Sequence, residues 1–209
     1  MRHTECVKIG KSMLAFESRR WSKGDGPCTN ANPLEAERPT FVRVLDGMCV
    51  GTDLGLQFAP EGGMKQAAAG LGCLTAAGMA VWGVNKWKNG ETALDKIEAA
   101  GSLALSVGYG TASAGVFAPL GKLGDRVGAA AMYTYAATDL FLGGVDAVRG
   151  VKEGAKDRLV SGLAQMSTGA FVVGMQLFPA ASAPLLIGMV GSIAVREFAV
   201  GAPGQRFIT

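Results

Sequence analysis

From Leu159 to Val195 the chain runs for 37 residues without a charged side chain, broken near its middle by Pro179. A helical crossing of a bilayer takes about 20 apolar residues, so this stretch has the length of a hairpin that enters a membrane and returns. Two more uncharged runs lie upstream, Gln66 to Asn85 and Ala99 to Gly121, and a fourth, Val127 to Val145, is interrupted only by Asp139. Charged connectors at Lys86 to Glu98, Lys122 to Arg126 and Asp146 to Arg158 separate them. The pattern predicts five helices, at about 64–88, 91–118, 124–149, 151–178 and 180–199, with Gly90, Pro119, Gly121, Gly150 and Pro179 as stops. Pro184 is tolerated only in a first turn and bears on where the fifth helix starts.

Residues 1–61 have a different texture. They hold many turn residues and short β-type runs, Cys6 to Ile9, Met13 to Phe16 and Thr40 to Leu45, with Ser22 to Pro39 as a linker. The expected organisation is an irregular, partly β N-terminal appendage over 1–61, a helical hydrophobic domain over 62–200, and a tail at 201–209.

An internal comparison at an offset of 61 residues brings Gly83, Val84 and Lys88 onto Gly144, Val145 and Arg149, and Gly101, Ser106, Gly108 and Phe117 onto Gly162, Ser167, Gly169 and Phe178. The unit is a Gly/Ala-rich helical hairpin occurring twice, at about 64–121 and 124–179, followed by a fifth helix at 180–199.

Composition agrees with the runs. The hydrophobic fraction is 49% and the charged fraction 18%, below the roughly 25% of a soluble domain. The 31 glycines lengthen uncharged runs without the weight of Leu or Ile, which keeps the mean hydropathy at +0.26. A net charge of +3 without a dense basic tract gives no footprint for nucleic acid.

Small residues recur at every fourth position. Ala68, Gly72, Ala76 and Ala80 form one stripe, and Gly110 to Ala114 and Ala170 to Gly174 repeat the spacing. In lipid, helices associate where small faces let backbones approach, so these are candidate helix contacts. Asp139 is the single ionisable residue inside an otherwise apolar run, and such residues face a pore, a partner or water. Gln165 and Gln176 lie about three turns apart on one face, where they line an aqueous path or bond to a neighbouring helix. Trp82 and Trp87, beside Lys86 and Lys88, have the placing of interfacial anchors.

Candidate catalytic chemistry is lacking. Gly115 to Lys122, GVFAPLGK, is one residue too long for a phosphate loop and continues with Leu123 where Ser or Thr is required. Cys6, Cys28, Cys49 and Cys73 show no metal-binding spacing, and the single histidine is His3. The expectation is no enzyme, no metal and no cofactor.

The hairpins and their charged connector, GGVDAVRGVKEGAKDRLVSG over 143–162, resemble the membrane-active segments of bacterial polymorphic toxins and secreted effectors. That resemblance implies insertion into a target membrane and formation of a pore. The expected protein is an all-α, multi-pass integral membrane bundle that oligomerises, with the lipid bilayer as partner, Asp139, Gln165 and Gln176 as lining groups, and no nucleic acid. Two other readings stay open: a non-catalytic structural subunit of a large assembly that uses the apolar faces and the N-terminal segment to bind neighbours, and a soluble helical bundle.

Overall fold

The computed structural model describes residues 40–200, and the expectations for 1–39 and for the tail at 201–209 lie outside them. Six α-helices follow one another: α1 Thr40–Phe58, α2 Gly63–Asn89, α3 Ala93–Phe117, α4 Gly121–Glu153, α5 Lys156–Leu177 and α6 Ser182–Val200, the last after a 3-10 turn at Pro179–Ala181. The described residues contain no strand, so this part is all-α. Each helix packs mainly on its neighbours in sequence, up and down in turn, and α1 closes the ring against α6.

The first helix departs from expectation. Thr40 to Leu45 has β-type side chains, yet 40–58 is helical. Val42, Leu45, Cys49 and Thr52 recur at intervals of three and four and are all buried, which sets one helical face against α2. A helical period decides over strand propensity, because that propensity measures fit to a pleated surface absent here.

Local chemistry ends the other helices close to where the punctuation predicts. α3 begins with a capping box: Thr92 accepts from the Asp95 backbone N–H at 3.1 Å, while the Asp95 carboxylate accepts from the Thr92 N–H at 3.0 Å. α4 overruns the expected stop at Gly150 and ends at Gly154, whose φ of 67° is left-handed. Pro184 sits in the first turn of α6, where its missing N–H costs nothing.

Glycine sets the distance between helices. A Cβ on Gly143 would lie 2.6 Å from the Gly162 carbonyl oxygen, and one on Gly162 would lie 2.5 Å from the Ala147 nitrogen, so α4 and α5 touch backbone to backbone. Against the other side of α4, Gly101 faces Thr138 and Gly108 faces Met132. Two small cores fill the remaining space, one around Leu45, Met79, Trp82 and Tyr109 and one around Ala136, Val172, Leu186 and Met189. α2–α3 and α4–α5 are each a pair of sequence-adjacent, packed helices, and Phe117 and Phe178 are both exposed where α3 and α5 end. Gly101 and Gly162, which the 61-residue offset aligns, both face α4, but in the first hairpin that is the neighbouring unit and in the second its own.

Large apolar side chains are left outside. Leu74, Val81, Phe141, Val151, Leu163 and Ile187 are all at least half exposed, while Thr52, Thr75, Ser113, Asp139, Arg158 and Arg196 are buried. By length and composition, two segments are long and apolar enough to cross a membrane: α2, and the stretch from Pro179 to Phe198. α3, α4 and α5 are as long but too dilute in Leu, Ile and Val, since their uncharged runs are built largely of Gly, Ala, Ser and Thr.

Two outcomes follow. Gly162→Ala forces α4 and α5 apart and is expected to cost about 1–3 kcal/mol. Gly70→Ala, where a Cβ meets nothing within 4 Å, is expected to be neutral or to stabilise by up to about 1 kcal/mol. Denaturant titration followed by far-UV circular dichroism separates the two. Burial works to raise the Asp95 carboxyl, but its bonds to Thr92 and the Lys86 charge prevail and hold it below its ordinary value. Its contribution is therefore full above the ordinary carboxylate range and is lost as pH falls through the folded-state value. Thr92→Ala is expected to cost about 1 kcal/mol at neutral pH and to weaken that acid dependence, read from melts across an acid pH series.

Candidate functional site

Polar groups gather along the axis of the ring. Near the end that carries the α2–α3 and α4–α5 connectors, Arg196 of α6 donates from Nη2 to Asp46 Oδ2 of α1 at 3.1 Å. Beside it Arg43 pairs with Glu197 at 3.5 Å. Deeper in, Gln165 of α5 donates from Nε2 to Asp139 Oδ1 of α4 at 2.9 Å, with Tyr135 against the same carboxylate. Further along, the Tyr109 hydroxyl of α3 donates to Asp53 Oδ2 of α1 at 2.7 Å. One turn beyond Tyr109, Ser113 is fully buried against Gly72, and the hydroxyls of Thr52 and Thr75 stand 3.4 Å apart.

Some of these groups line a small cavity of about 30 Å³, whose polar lining is Asp46, Cys49, Asp53, Tyr109, Tyr135, Thr168 and Arg196. That volume holds roughly two water molecules. Asp139 is 5% exposed, with Oδ2 outside any protein hydrogen bond, and Arg196 is 6% exposed, with Nε in the same condition. Asp46 and Asp139 thus face the Arg196 guanidinium, and Asp53 is held by Tyr109. Among the described residues no three His, Cys, Asp or Glu side chains gather as a metal group would.

Asp139 and Gln165, separate candidates in the sequence, form one contact here. Gln176 lies three turns further along α5, half-buried. The small-residue stripes work inside the chain: Ala68 lies beneath Gly55, Gly72 against Thr52 and Ser113, Ala76 opposite Gly110, and Gly174 against Leu185 of α6. Ala80 and Ala114 are half-buried, and Ala170 faces outward. Trp82 corrects the interfacial pair: its ring is 8% exposed and packs in the core, with Lys86 Nζ 5.5 Å from its centroid. Trp87 is exposed, and the Lys96 ammonium lies 5.6 Å from its ring.

Asp46, Asp53, Tyr109 and Arg196 were not singled out by the sequence. Assigning 1–61 to an appendage hid the first two, although Asp46, Cys49 and Asp53 at intervals of three and four mark a helical face. Arg196 lies just past the end of an uncharged run and reads there as its terminator.

Charge elsewhere is confined to the ends. Among the described residues, every charged side chain lies within about two helical turns of a helix end except Asp139, and Asp53 is drawn inward by Tyr109. Neither protein-family models, nor curated proteins, nor solved structures give a match to this chain.

Arg196→Met removes the guanidinium that faces Asp46 and the buried Asp139 and is expected to cost about 3–5 kcal/mol. Adding Asp46→Asn to that variant is expected to recover part of the loss. Chemical denaturation of the single and double variants measures both.

Proposed function

We propose that the chain is a multi-pass membrane protein whose helical bundle lies in a bilayer, apolar side outward and polar axis inward. One observation carries the reading: two belts of charge with an apolar outer surface between them. Along α2 the charges stop at Lys65 and resume at Lys86, and along α4 they stop at Arg126 and resume at Asp146 apart from Asp139. At about 1.5 Å per residue both gaps are about 30 Å, the thickness of a hydrocarbon core. Within that band the outward positions include the large apolar side chains Leu74, Val81, Val107, Phe141, Leu163 and Ile187. The low hydropathy of α3–α5 comes from faces turned towards other helices, where Gly, Ala and Thr serve close packing.

Copies associate through α2 in this reading. Ala67, Gly70, Leu74, Ala77, Val81 and Val84 alternate at three and four residues, carry no charge and look outward, a seam suited to another helix. A Cβ on Gly70 meets nothing within 4 Å, so a partner backbone can approach there. This leaves the stripe of Ala68, Gly72 and Ala76 to hold the chain together and the adjoining face to join chains. Passage across the membrane then belongs to the polar axis of each bundle.

Alkaline-carbonate extraction tests the placement: the protein is expected to stay in the membrane pellet and to leave it only with detergent. Recovery as a monodisperse carbonate-soluble species contradicts it. In a background with Cys6, Cys28 and Cys73 replaced by Ser and the buried Cys49 by Ala, Ala77→Cys is expected to cross-link copies on oxidation in membranes, and Phe141→Cys is not, as read on non-reducing gels.

A further inference from the structure

We propose that the polar axis of the bundle conducts protons, an inference that rests on the bilayer placement and names the species that passes. Its members are carboxylates grouped with their partners about one cavity: Asp46 with Arg196 and Asp53 with Tyr109 line it, and Asp139 with Gln165 lies beside it. Asp53, Tyr135 and Arg196 line the cavity directly, and Asp139 adjoins it through the latter two.

Three features select a proton over other cargo. A cavity of about 30 Å³ admits water but no hydrated metal ion and no solute. Among the described residues no three acidic, His or Cys side chains gather as a cation site would require. Two buried atoms, Asp139 Oδ2 and Arg196 Nε, make no direct hydrogen bond among the described residues, and buried polar atoms of this kind suit a water partner. Ser113 Oγ, one turn past Tyr109, is a third buried atom of this kind on the far side.

The charges around each carrier are set by several helices. Asp139 is faced by Tyr135 on its own helix, Gln165 from α5, Arg196 from α6 and Asp46 from α1. Asp53 is faced by Tyr109 from α3 and by Cys49 on its own helix. Arg196 faces Asp46 and Asp139, and Asp53 is held by the Tyr109 hydroxyl, so a proton that arrives at Asp139 or Asp53 neutralises an interior carboxylate. In each transfer one O–H bond breaks and another forms: a carboxyl releases its proton to water, and the next carboxylate takes one from that water. The net result is one proton moved down its gradient, with no co-reactant.

The test uses the full chain reconstituted into liposomes that hold a pH-sensitive dye, with valinomycin and a potassium gradient to drive proton entry. Acidification above protein-free vesicles is expected, falling to that background in Asp139→Asn and in Asp53→Asn. Asp139→Glu, which keeps a carboxylate, and Asp125→Asn, at the exposed start of α4, are expected to retain the flux. Circular dichroism and flotation with the vesicles verify that each variant is helical and inserted. Inserted protein with no flux, or flux unchanged in both Asn variants, overturns the proposal and leaves the bilayer placement standing. Release of an entrapped dye such as calcein overturns it in favour of a wide pore. Failure of the native chain to float with vesicles overturns both.

Discussion

Backbone contact between glycine-faced helices is the constraint on which the rest depends. Because α4 approaches α5 closely enough for Gly143 and Gly162 to leave no room for a Cβ, the interior has little volume for large side chains. Gly72 against Thr52 and Ser113 does the same between α1, α2 and α3. Many Leu, Val, Ile and Phe side chains are therefore turned outward, beside the few that fill the two small cores. Each helical glycine lowers intrinsic helix stability by up to about 1 kcal/mol. Close packing offsets that cost, and in the proposed bilayer placement the hydrogen bonds of a dry environment add to it.

Narrow helix contacts also explain why the polar groups lie where they do. Thr and Ser fit at close crossings because their hydroxyls bond back to the preceding turn, as Thr75 does to Leu71 and Thr168 to Ala164. Charged groups need more room, and the central gap among α1, α3, α4, α5 and α6 provides it. Each interior carboxylate there has a partner on another helix: Asp46 with Arg196, Asp139 with Gln165, Asp53 with Tyr109. The partnered line ties α1 to α6 and α4 to α5 as well as carrying the proposed activity.

Much of the helical layout was legible in the chain, because long uncharged runs and Gly/Pro punctuation are local signals. Expected ends at 64, 118 and 178 fall within a residue or so of Gly63, Phe117 and Leu177. Gly150 misled because glycine serves equally as a stop and as a close contact, and here a Cβ on it would strike the Leu159 backbone. α1 was missed for a related reason: side-chain preference at Thr40 to Leu45 was weighed ahead of the buried spacing of Val42, Leu45 and Cys49. At the site, Asp139 stood out because nothing else in its run is charged, and its bond to Gln165 depends on how α4 and α5 are rotated about their axes. The pairing of Asp46 with Arg196 spans 150 residues, and no local pattern reports it.

The most direct test of the central claim, an apolar exterior around a polar axis, is labelling of the membrane-bound protein with a lipid-soluble carbene probe, read residue by residue by mass spectrometry. Leu74, Val81, Phe141 and Ile187 are predicted to be labelled strongly, while Ala136, Ala147 and Val172 stay unmarked. Weak labelling of the first group, with strong modification of the same positions by a water-soluble probe, would contradict the account.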